Sequence, residues 1–301
     1  MARAHVDPEA WKKKVRRVRI IVITLVLVIA LAAAGVWLTK TVIQPALAYA
    51  RAERAEEAGE IAEAIDRFSL MWDYKDARQR AARLAFSQQP DDSFREMFGN
   101  AKLGDILTFG VWEQDGDPDN GPEPIDWIVL GEDEGRLLLW SQAILDQKPY
   151  HNSYCDITWA DCSLRTWLNE DFYRGAFTPN EQLLIPMTDV ETAGNSASNT
   201  KGGENTADHV YILSFNELLA FAYFNPYLES IYAYPTPYAI SQGAEYHSSW
   251  QTSPWWIRTP GIRQFCAAYC DMAGKPLYSG VVNHEGYGIR PIVWVFTGSD
   301  D

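Results

Sequence analysis

The longest hydrophobic segment lies near the N-terminus, where nineteen residues from Ile20 to Leu38 carry no charge. A helix of this length is about 28 Å long, close to the roughly 30 Å hydrocarbon core of a bilayer. Thr24 is its only hydroxyl side chain, whereas a soluble core helix would show a polar face at 3.6-residue spacing. The pattern therefore predicts a transmembrane helix over residues 20–39.

Basic residues flank this segment unevenly. Six Lys or Arg side chains lie between Lys12 and Arg19, and only Lys40 follows immediately. Because cytoplasmic flanks are rich in Lys and Arg, residues 1–19 are predicted to form a basic cytoplasmic tail and the main domain to lie outside the cell membrane. A signal peptide cleaved after Ala50 is the alternative, since Ala48-Tyr49-Ala50 is a small-x-small site. Both interpretations export the main domain.

Residues 40–98 have the character of a helical stalk. An apolar stripe recurs at helical spacing through Ile61, Ile65, Phe68 and Trp72. With the alanine-rich stretch before Gly59, the pattern A-x-x-A-E-x-A-G-x-x-x-E-A-I-x-x-F resembles one tetratricopeptide-like helical hairpin. A solenoid needs about three such units, so we expect a spacer rather than a peptide-binding array.

Short stretches of β-forming character dominate residues 99–301. Six are predicted as strands: Ile106–Trp112, Ile125–Leu130, Arg136–Ser141, Val210–Ser214, Phe265–Asp271 and Ile289–Phe296. Ser163–Phe172 and Glu217–Phe224 have the apolar spacing of helices. Short strands with few helices and long polar loops, such as Thr192–Asp208, indicate an α+β domain.

Four sequence blocks in this domain carry a family resemblance. They are Glu123–Trp127, Thr158–Asn169, Trp255–Gly261 and Gly288–Pro291. They look like an uncharacterised bacterial domain family marked by W-x-D-x-S-L-R-x-W-L-N, W-W-L-R-[ST]-P-G and G-V-R-P. That family is distantly similar to C-type-lectin-like folds of the formylglycine-generating-enzyme kind. The resemblance thus implies a C-type-lectin-like domain over residues 99–301, but no activity, since fold does not imply function.

Charge is divided sharply along the chain, whose net charge is −14. Residues 1–40 carry eight basic and two acidic side chains, and the remainder carries 18 basic and 38 acidic ones, a balance of −20. So acidic a domain argues against nucleic acid as a partner, because phosphates require a basic footprint. It is compatible with solubility alone, with cation binding or with a cationic partner.

One acidic loop has the spacing of a calcium site. The candidate ligands are Asp115, Asp117, Asp119 and Asp126. They stand at positions 1, 3, 5 and 12, as in helix–loop–helix calcium loops. Position 6 is Asn120 instead of the required glycine, and the flanking segments are predicted strands. Asn120-Gly121 is equally typical of a hairpin turn, so a calcium site and a solvated turn both stay open.

The sequence offers no assembled catalytic motif: G-x-S-x-G and H-E-x-x-H are absent. A tethered, aromatic-rich domain with long loops instead indicates a binding module for a glycan, a peptide or an envelope protein. Aromatic rings on loops would stack on sugars, and the candidates are Tyr246, Trp250 and Tyr287. These rings are as easily explained as core or ordinary surface residues.

An exported enzyme is the alternative, either of the formylglycine-generating type or with a site assembled only in the fold. Phe265–Cys270 is similar to the late cysteine pair of formylglycine-generating enzymes, although the spacing departs by one residue. On one strand, Cys266 and Cys270 would be about 13 Å apart, too far for a disulfide. Export permits disulfides, so pairing of either with Cys155 or Cys162 is more plausible than pairing with each other.

Three arginines stand beside aromatic residues in the blocks: Arg165, Arg258 and Arg290. We expect buried guanidinium groups that join loops to the core through carboxylates or carbonyls. The functional alternative is a pocket in which the same arginines bind a ligand carboxylate. Trp159, Trp167, Trp255 and Trp256 are expected to be core residues.

Overall fold

The computed structural model describes Val22 and residues 25–26, 35–71, 74–88, 92–133, 135–224 and 231–297. The predicted cytoplasmic tail, residues 1–19, and most of the predicted transmembrane helix, residues 20–39, lie outside the described residues. Within the described ranges, no helix combines the length and the apolar character needed to cross a membrane.

Helices make up the N-terminal part of the protein. A helical run continues through a π-helical segment, Thr39–Ile43, into the first long helix. The helices that follow are Gln44–Glu57, Ile61–Ser69, Ala77–Ser87 and Asp92–Gly99. The first three pack against one another, and we call them the N-terminal helices. The expected helical stalk is therefore helical throughout its described residues, apart from short connections.

The backbone conformation of Gly59 explains the first break between these helices. Gly59 adopts a φ of +78°, a left-handed conformation that favours glycine. The N–H of Glu60 donates to the carbonyl of Ala55 at 2.9 Å, and the N–H of Gly59 donates to that of Glu56 at 3.0 Å. This pair of bonds is a Schellman motif, which satisfies the last carbonyls of the helix and lets the chain reverse.

Polar contacts hold the third helix against the first. The hydroxyl of Tyr49 donates to the carboxylate of Asp76, and this bond lowers the pKa of Asp76. Arg80 donates to Glu53 at 2.7 Å and to Glu56 at 2.9 Å. Asp76, directly before the third helix, thus connects it to the first helix through Tyr49.

Two five-stranded sheets form the rest of the fold. The strands are β1 Ile106–Trp112, β2 Glu123–Asp133, β3 Arg136–Ser141, β4 Asp146–Gln147, β5 Thr188–Val190, β6 Thr206–Asp208, β7 Val210–Tyr211, β8 Trp255–Pro260, β9 Cys266–Cys270, β10 Pro276–Val281, β11 Gly288–Ile289 and β12 Ile292–Phe296. The first sheet has the order β1-β2-β3-β12-β7 and the second β10-β9-β8-β11-β4, while β5 and β6 pair separately. All pairs are antiparallel except β8 with β11. The α+β class predicted from the sequence is confirmed.

Short helices fill the connections between strands. They are Trp159–Asp161, Ser163–Trp167, Leu168–Phe172, Tyr173–Ala176, Pro179–Gln182, Phe215–Phe224 and Pro237–Ser241. The segment from Ser163 to Ala176 is continuously helical, with a π-helical stretch in its middle.

The two sheets meet where β11 passes into β12. Arg290 lies between these strands, and its guanidinium carbon is 3.4 Å from the ring centroid of Trp140 and 5.3 Å from that of Trp255. Its Nη2 donates to the carbonyl of Ser141 at 2.9 Å. Burial lowers the pKa of this guanidinium. The cation is therefore held between one tryptophan of each sheet, at the joint of the fold.

The N-terminal helices contact the sheets through a histidine. His209 Nδ1 lies 2.8 Å from the carbonyl of Ile185, which can only accept, so Nδ1 carries the proton. Its Nε2 faces Asp66 at 3.6 Å, and the ring of Tyr173 stacks on the imidazole at 4.4 Å. Burial raises the pKa of Asp66, although the charge of His209 opposes the shift. This contact is attractive only while the pair retains a proton between Nε2 and the carboxylate.

Candidate functional site

Three exposed aromatic rings converge on one cavity at the end of the second sheet. Tyr232, Tyr234 and Trp250 line it together with Thr252 and Ala273, and its volume is about 230 Å³. We call this set of five residues the aromatic cleft. The three rings are 44%, 55% and 55% exposed. Large aromatic groups normally bury most of their surface, so three exposed rings in one concavity stand out as a ligand site.

Backbone hydrogen bonds hold the tyrosine segment of the cleft in place. The carbonyl of Tyr234 accepts from the N–H of Ile144 at 2.9 Å, and the carbonyl of Ala233 accepts from that of Ser253 at 3.1 Å. Between its two exposed neighbours, Ala233 is buried. This alternation is that of an extended chain, whose side chains point to opposite sides in turn. Tyr232 and Tyr234 are thereby presented on the same side.

Trp250 lies on a tight loop that closes on itself. The N–H of His247 donates to the carbonyl of Thr252 at 2.9 Å, and the N–H of Gln251 donates back to that of His247 at 2.7 Å. Gln251 adopts a φ of +59°, and the Trp250 ring stacks on His247 at 4.3 Å. The Thr252 hydroxyl donates to the carbonyl of Met272 at 2.7 Å. The loop is thus anchored at its base and supported beneath the indole.

Tyr287 and Tyr246, the other two aromatic candidates from the sequence, are not among the residues that line the cleft. Tyr287 is half-buried, stacks on Tyr269 at 4.4 Å and packs against Trp256, so it belongs to a neighbouring cluster. Tyr246 is exposed on the loop that carries Trp250, but it does not line the cleft. The structure therefore brings Trp250 together with Tyr232 and Tyr234, which the sequence analysis did not single out.

A histidine and a carboxylate meet beside that neighbouring cluster. His284 Nε2 lies 2.8 Å from Glu245 Oε1, and the imidazole packs against Tyr287 at 4.3 Å. A pair at this distance has the geometry of a general base with its orienting acid. Both side chains are largely exposed, at 36% and 44%. The pair lies on an open surface, where water would compete for every contact.

The carboxylates that lie close together in the acidic loop are not the set predicted from the sequence. Carboxylate oxygens of Glu113, Asp115 and Glu123 lie within 4.8 Å of one another. Asp126 is exposed on β2 and accepts from the hydroxyl of Thr108 at 3.0 Å.

The carboxylates of this cluster already accept hydrogen bonds from backbone N–H groups of the turn. Glu123 Oε2 accepts from the N–H of Gln114 at 2.7 Å, and Glu113 Oε1 accepts from that of Gly116 at the same distance. Two of the sequence candidates close turns: Asp115 accepts from the N–H of Asp117 and Asp117 from that of Asp119. The predicted set of Asp115, Asp117, Asp119 and Asp126 is not assembled around one point, because the flanking segments are strands of a hairpin and not helices.

All four cysteines are free thiols, so neither cross-pairing expected from the sequence is formed. Cys155 is exposed, and the other three are buried. Burial raises the pKa of Cys162 and of Cys270 to about 12, and it also raises that of Cys266. Because the thiolate is the nucleophile, these buried thiols have little reactivity near neutral pH.

The three arginines of the sequence blocks have structural partners in this fold. Arg165 Nε donates to the buried carboxylate of Asp208 at 2.6 Å. Arg258 donates to Glu217 at 2.9 Å and to the carbonyl of Glu191 at 3.0 Å. With Arg290 bound to carbonyls, all three guanidinium groups are engaged by the chain itself. The expected role as joints between loops and core is seen, and a shared carboxylate pocket is not formed.

A larger cavity, of about 790 Å³, lies between the N-terminal helices and the sheets. Its charged lining residues include Arg67, which pairs with Glu63, and Arg136, which pairs with Asp133. Both arginines around this gap are thus paired within the chain. It has the character of a loosely packed junction, and the aromatic cleft is the better candidate site.

One family model, described as a domain of unknown function (DUF6273), matches residues 134–297. The chain belongs to this family. The match spans β3 to β12, and it therefore includes the aromatic cleft and all three arginine joints. No curated protein and no solved structure matches the chain.

Proposed function

We propose that this DUF6273 protein is a membrane-anchored, extracytoplasmic recognition module that receives its ligand in the aromatic cleft. The observation that carries the proposal is the convergence of Tyr232, Tyr234 and Trp250 on one cavity while all three stay exposed. Covering the free half of an indole of roughly 250 Å² would contribute about 3 kcal/mol at ~25 cal/mol per Å². Two tyrosines add to this, which is enough to make the cleft a binding hot spot.

The ligand classes expected from the sequence are a glycan, a peptide and an envelope protein. A planar or apolar group of any of them can lie against the rings of the cleft, since aromatic stacking does not depend on charge. Anchoring in the membrane is supported by the exposed apolar side chains of Val36, Trp37 and Leu38, which lie in the helical residues just before Thr39. These side chains would be covered by lipid in a transmembrane helix.

The C-type-lectin-like architecture belongs to the same proposal. It is supported by the tryptophan-rich strand β8 and by the closing strand β11, which runs parallel to it. In such domains long loops outside the sheets carry the ligand site, and here the loops at Tyr232–Tyr234 and His247–Thr252 would do so.

The alternative, an exported enzyme of the formylglycine-generating type, has less support. That chemistry needs a reactive cysteine pair, whereas Cys266 and Cys270 are buried free thiols with raised pKa values. The His284–Glu245 pair has the distance of an acid–base couple but lies at an exposed surface. Binding without catalysis is the function that the geometry supports best.

The full-length chain in detergent micelles should be tested on arrays of oligosaccharides and of peptides. We expect Trp250→Ala to weaken binding to the best ligand by roughly tenfold or more, as for an aromatic hot spot. Tyr154→Ala is the matched control, because Tyr154 is also exposed but rests on Phe265, away from the cleft. Equal loss in both variants, or binding that ignores Trp250→Ala, would contradict the assignment of the cleft.

Topology can be tested separately by treating intact cells with protease. Extracytoplasmic placement predicts cleavage of loops in residues 99–301 while the N-terminal tail is protected. Protection of the whole main domain would refute the export of this protein.

A further inference from the structure

The walls of the aromatic cleft contain few groups that could satisfy a polar ligand. Tyr232, Tyr234 and Trp250 present rings whose polar groups are limited to two hydroxyls and one indole N–H, and Ala273 presents a methyl group. The hydroxyl of Thr252 is already bonded to the carbonyl of Met272. Among these five lining residues none carries a charge or an amide. A sugar needs partners for its hydroxyl groups, and unsatisfied polar groups are costly to bury.

A quaternary ammonium group fits these walls better, because it has no N–H to satisfy and is attracted by the faces of aromatic rings. Cation–π attraction acts within roughly 6 Å of a ring centroid, and a cavity of about 230 Å³ lined by three aromatic rings has room for a trimethylammonium head close to them. A quaternary ammonium group in the cavity would therefore lie beside all three lining rings.

The charge of the molecule favours the same ligand. The chain after residue 40 carries 38 acidic and 18 basic side chains, and such a field attracts cations and repels phosphates. Close to the cleft, the carboxylate of Asp271 accepts from the N–H groups of Ala273 and Lys275, at 2.9 and 2.8 Å. Lys275 follows in this turn with an exposed side chain, so its charge extends into solvent.

We infer that the aromatic cleft is a cage for a quaternary ammonium group carried by the extracytoplasmic ligand. This inference rests on the proposed function, since it names the chemical group that the proposed site would receive. The rings of Tyr232, Tyr234 and Trp250 enclose the trimethylammonium head, and the rest of the ligand extends out of the cleft.

The test is calorimetric titration of the full-length chain in detergent micelles with choline and with 3,3-dimethylbutan-1-ol, its neutral isostere. We expect choline to bind and the isostere to bind at least roughly tenfold more weakly, because the shapes match and only the charge differs. Trp250→Ala and Tyr234→Ala should each weaken choline binding by roughly tenfold, and Tyr154→Ala should leave it unchanged. Circular dichroism of each variant checks that the fold is retained.

Three results would overturn the cage. Equal binding of choline and its isostere would show an apolar pocket without selectivity for cations. Choline binding unaffected by Trp250→Ala in a folded variant would place the cation elsewhere. Absence of choline binding, while an oligosaccharide or peptide still binds in a Trp250-dependent manner, would refute the ammonium ligand and leave the proposed function standing. If no array ligand depends on Trp250 either, both proposals fail.

Discussion

Replacing Asp208 by asparagine should destabilise the protein strongly, although the side chain keeps its shape. The carboxylate of Asp208 is fully buried and accepts three hydrogen bonds. The donors are Arg165 Nε at 2.6 Å, Trp159 Nε1 at 2.9 Å and the hydroxyl of Thr206 at 2.7 Å. In Asp208→Asn, one oxygen becomes an NH₂ group that must face at least one of these donors.

The expected loss of stability depends on how exposed the hydrogen-bond partners of Asp208 are. Removing one member of a buried ion pair costs about 3–5 kcal/mol, and a hydrogen bond to a charged group about 1.5–3 kcal/mol. Arg165 is 26% exposed and keeps its bond to the carbonyl of Ala160, so part of its charge stays solvated. We therefore expect the lower limit, about 3 kcal/mol of the free energy of unfolding. For a domain of this size, Tm should fall by about 6–12 °C.

The measurement is urea unfolding of the full-length chain in detergent, followed by tryptophan fluorescence. Asp126→Asn is the matched control, because Asp126 is exposed and accepts one bond from Thr108; its cost should stay within about 0.5 kcal/mol. In an Arg165→Met background, Asp208→Asn should cost about 1–2 kcal/mol less, since no guanidinium is left unpaired. A loss below about 1 kcal/mol, or strictly additive losses, would refute the central role of this carboxylate.

Three further predictions concern the Asp66–His209 contact, calcium and the free thiols. Because burial raises the pKa of Asp66 in the folded state, the contribution of this group to stability is most favourable at low pH and falls as pH rises from about 4 through the raised pKa; Asp66→Asn should flatten this dependence in urea midpoints measured from pH 4 to 8. Any rise in Tm caused by millimolar calcium should vanish in Glu123→Gln and persist in Asp126→Asn, and a wild-type Tm that calcium leaves unchanged would remove the calcium hypothesis. Brief alkylation of the folded protein at pH 8 should label Cys155 only, and mass spectrometry that finds fewer than four free thiols after unfolding would contradict the reduced state of the buried cysteines.

The strands were predictable where hydrophobic runs coincide with strong turns. Ile106–Trp112 and Arg136–Ser141 match β1 and β3 residue for residue. The predicted Ile289–Phe296 instead forms two strands in different sheets, because Pro291 lacks an N–H and Arg290 turns into the core. The two-residue strand Asp146–Gln147 was missed because so short a run has no detectable period.

The site was predictable only in part. Trp250 could be chosen as an aromatic residue in a polar loop, and it lines the cleft. Tyr232 and Tyr234 were overlooked, although their alternation with Ala233 is a signal for two rings on one side of an extended segment. Their meeting with Trp250 depends on long-range hydrogen bonds to Ile144 and Ser253, which no local pattern reveals. The domain boundaries at residues 19, 39 and 98 stay predictions.

The position of β12 also determines when the first sheet can be completed during synthesis of the chain. This last strand is inserted between β3 and β7, so that Phe296 pairs with Arg136 and Val293 with Val210. Ribosomes and translocation pores deliver a chain from its N-terminus, and pairing of such distant segments is slow. The first sheet therefore remains split until β12 has been synthesised, because β3 and β7 have no strand between them before then. Deletion of β12 alone should leave the first sheet unable to close, and we expect such a variant to be degraded by quality-control proteases although the aromatic loops are unchanged in sequence.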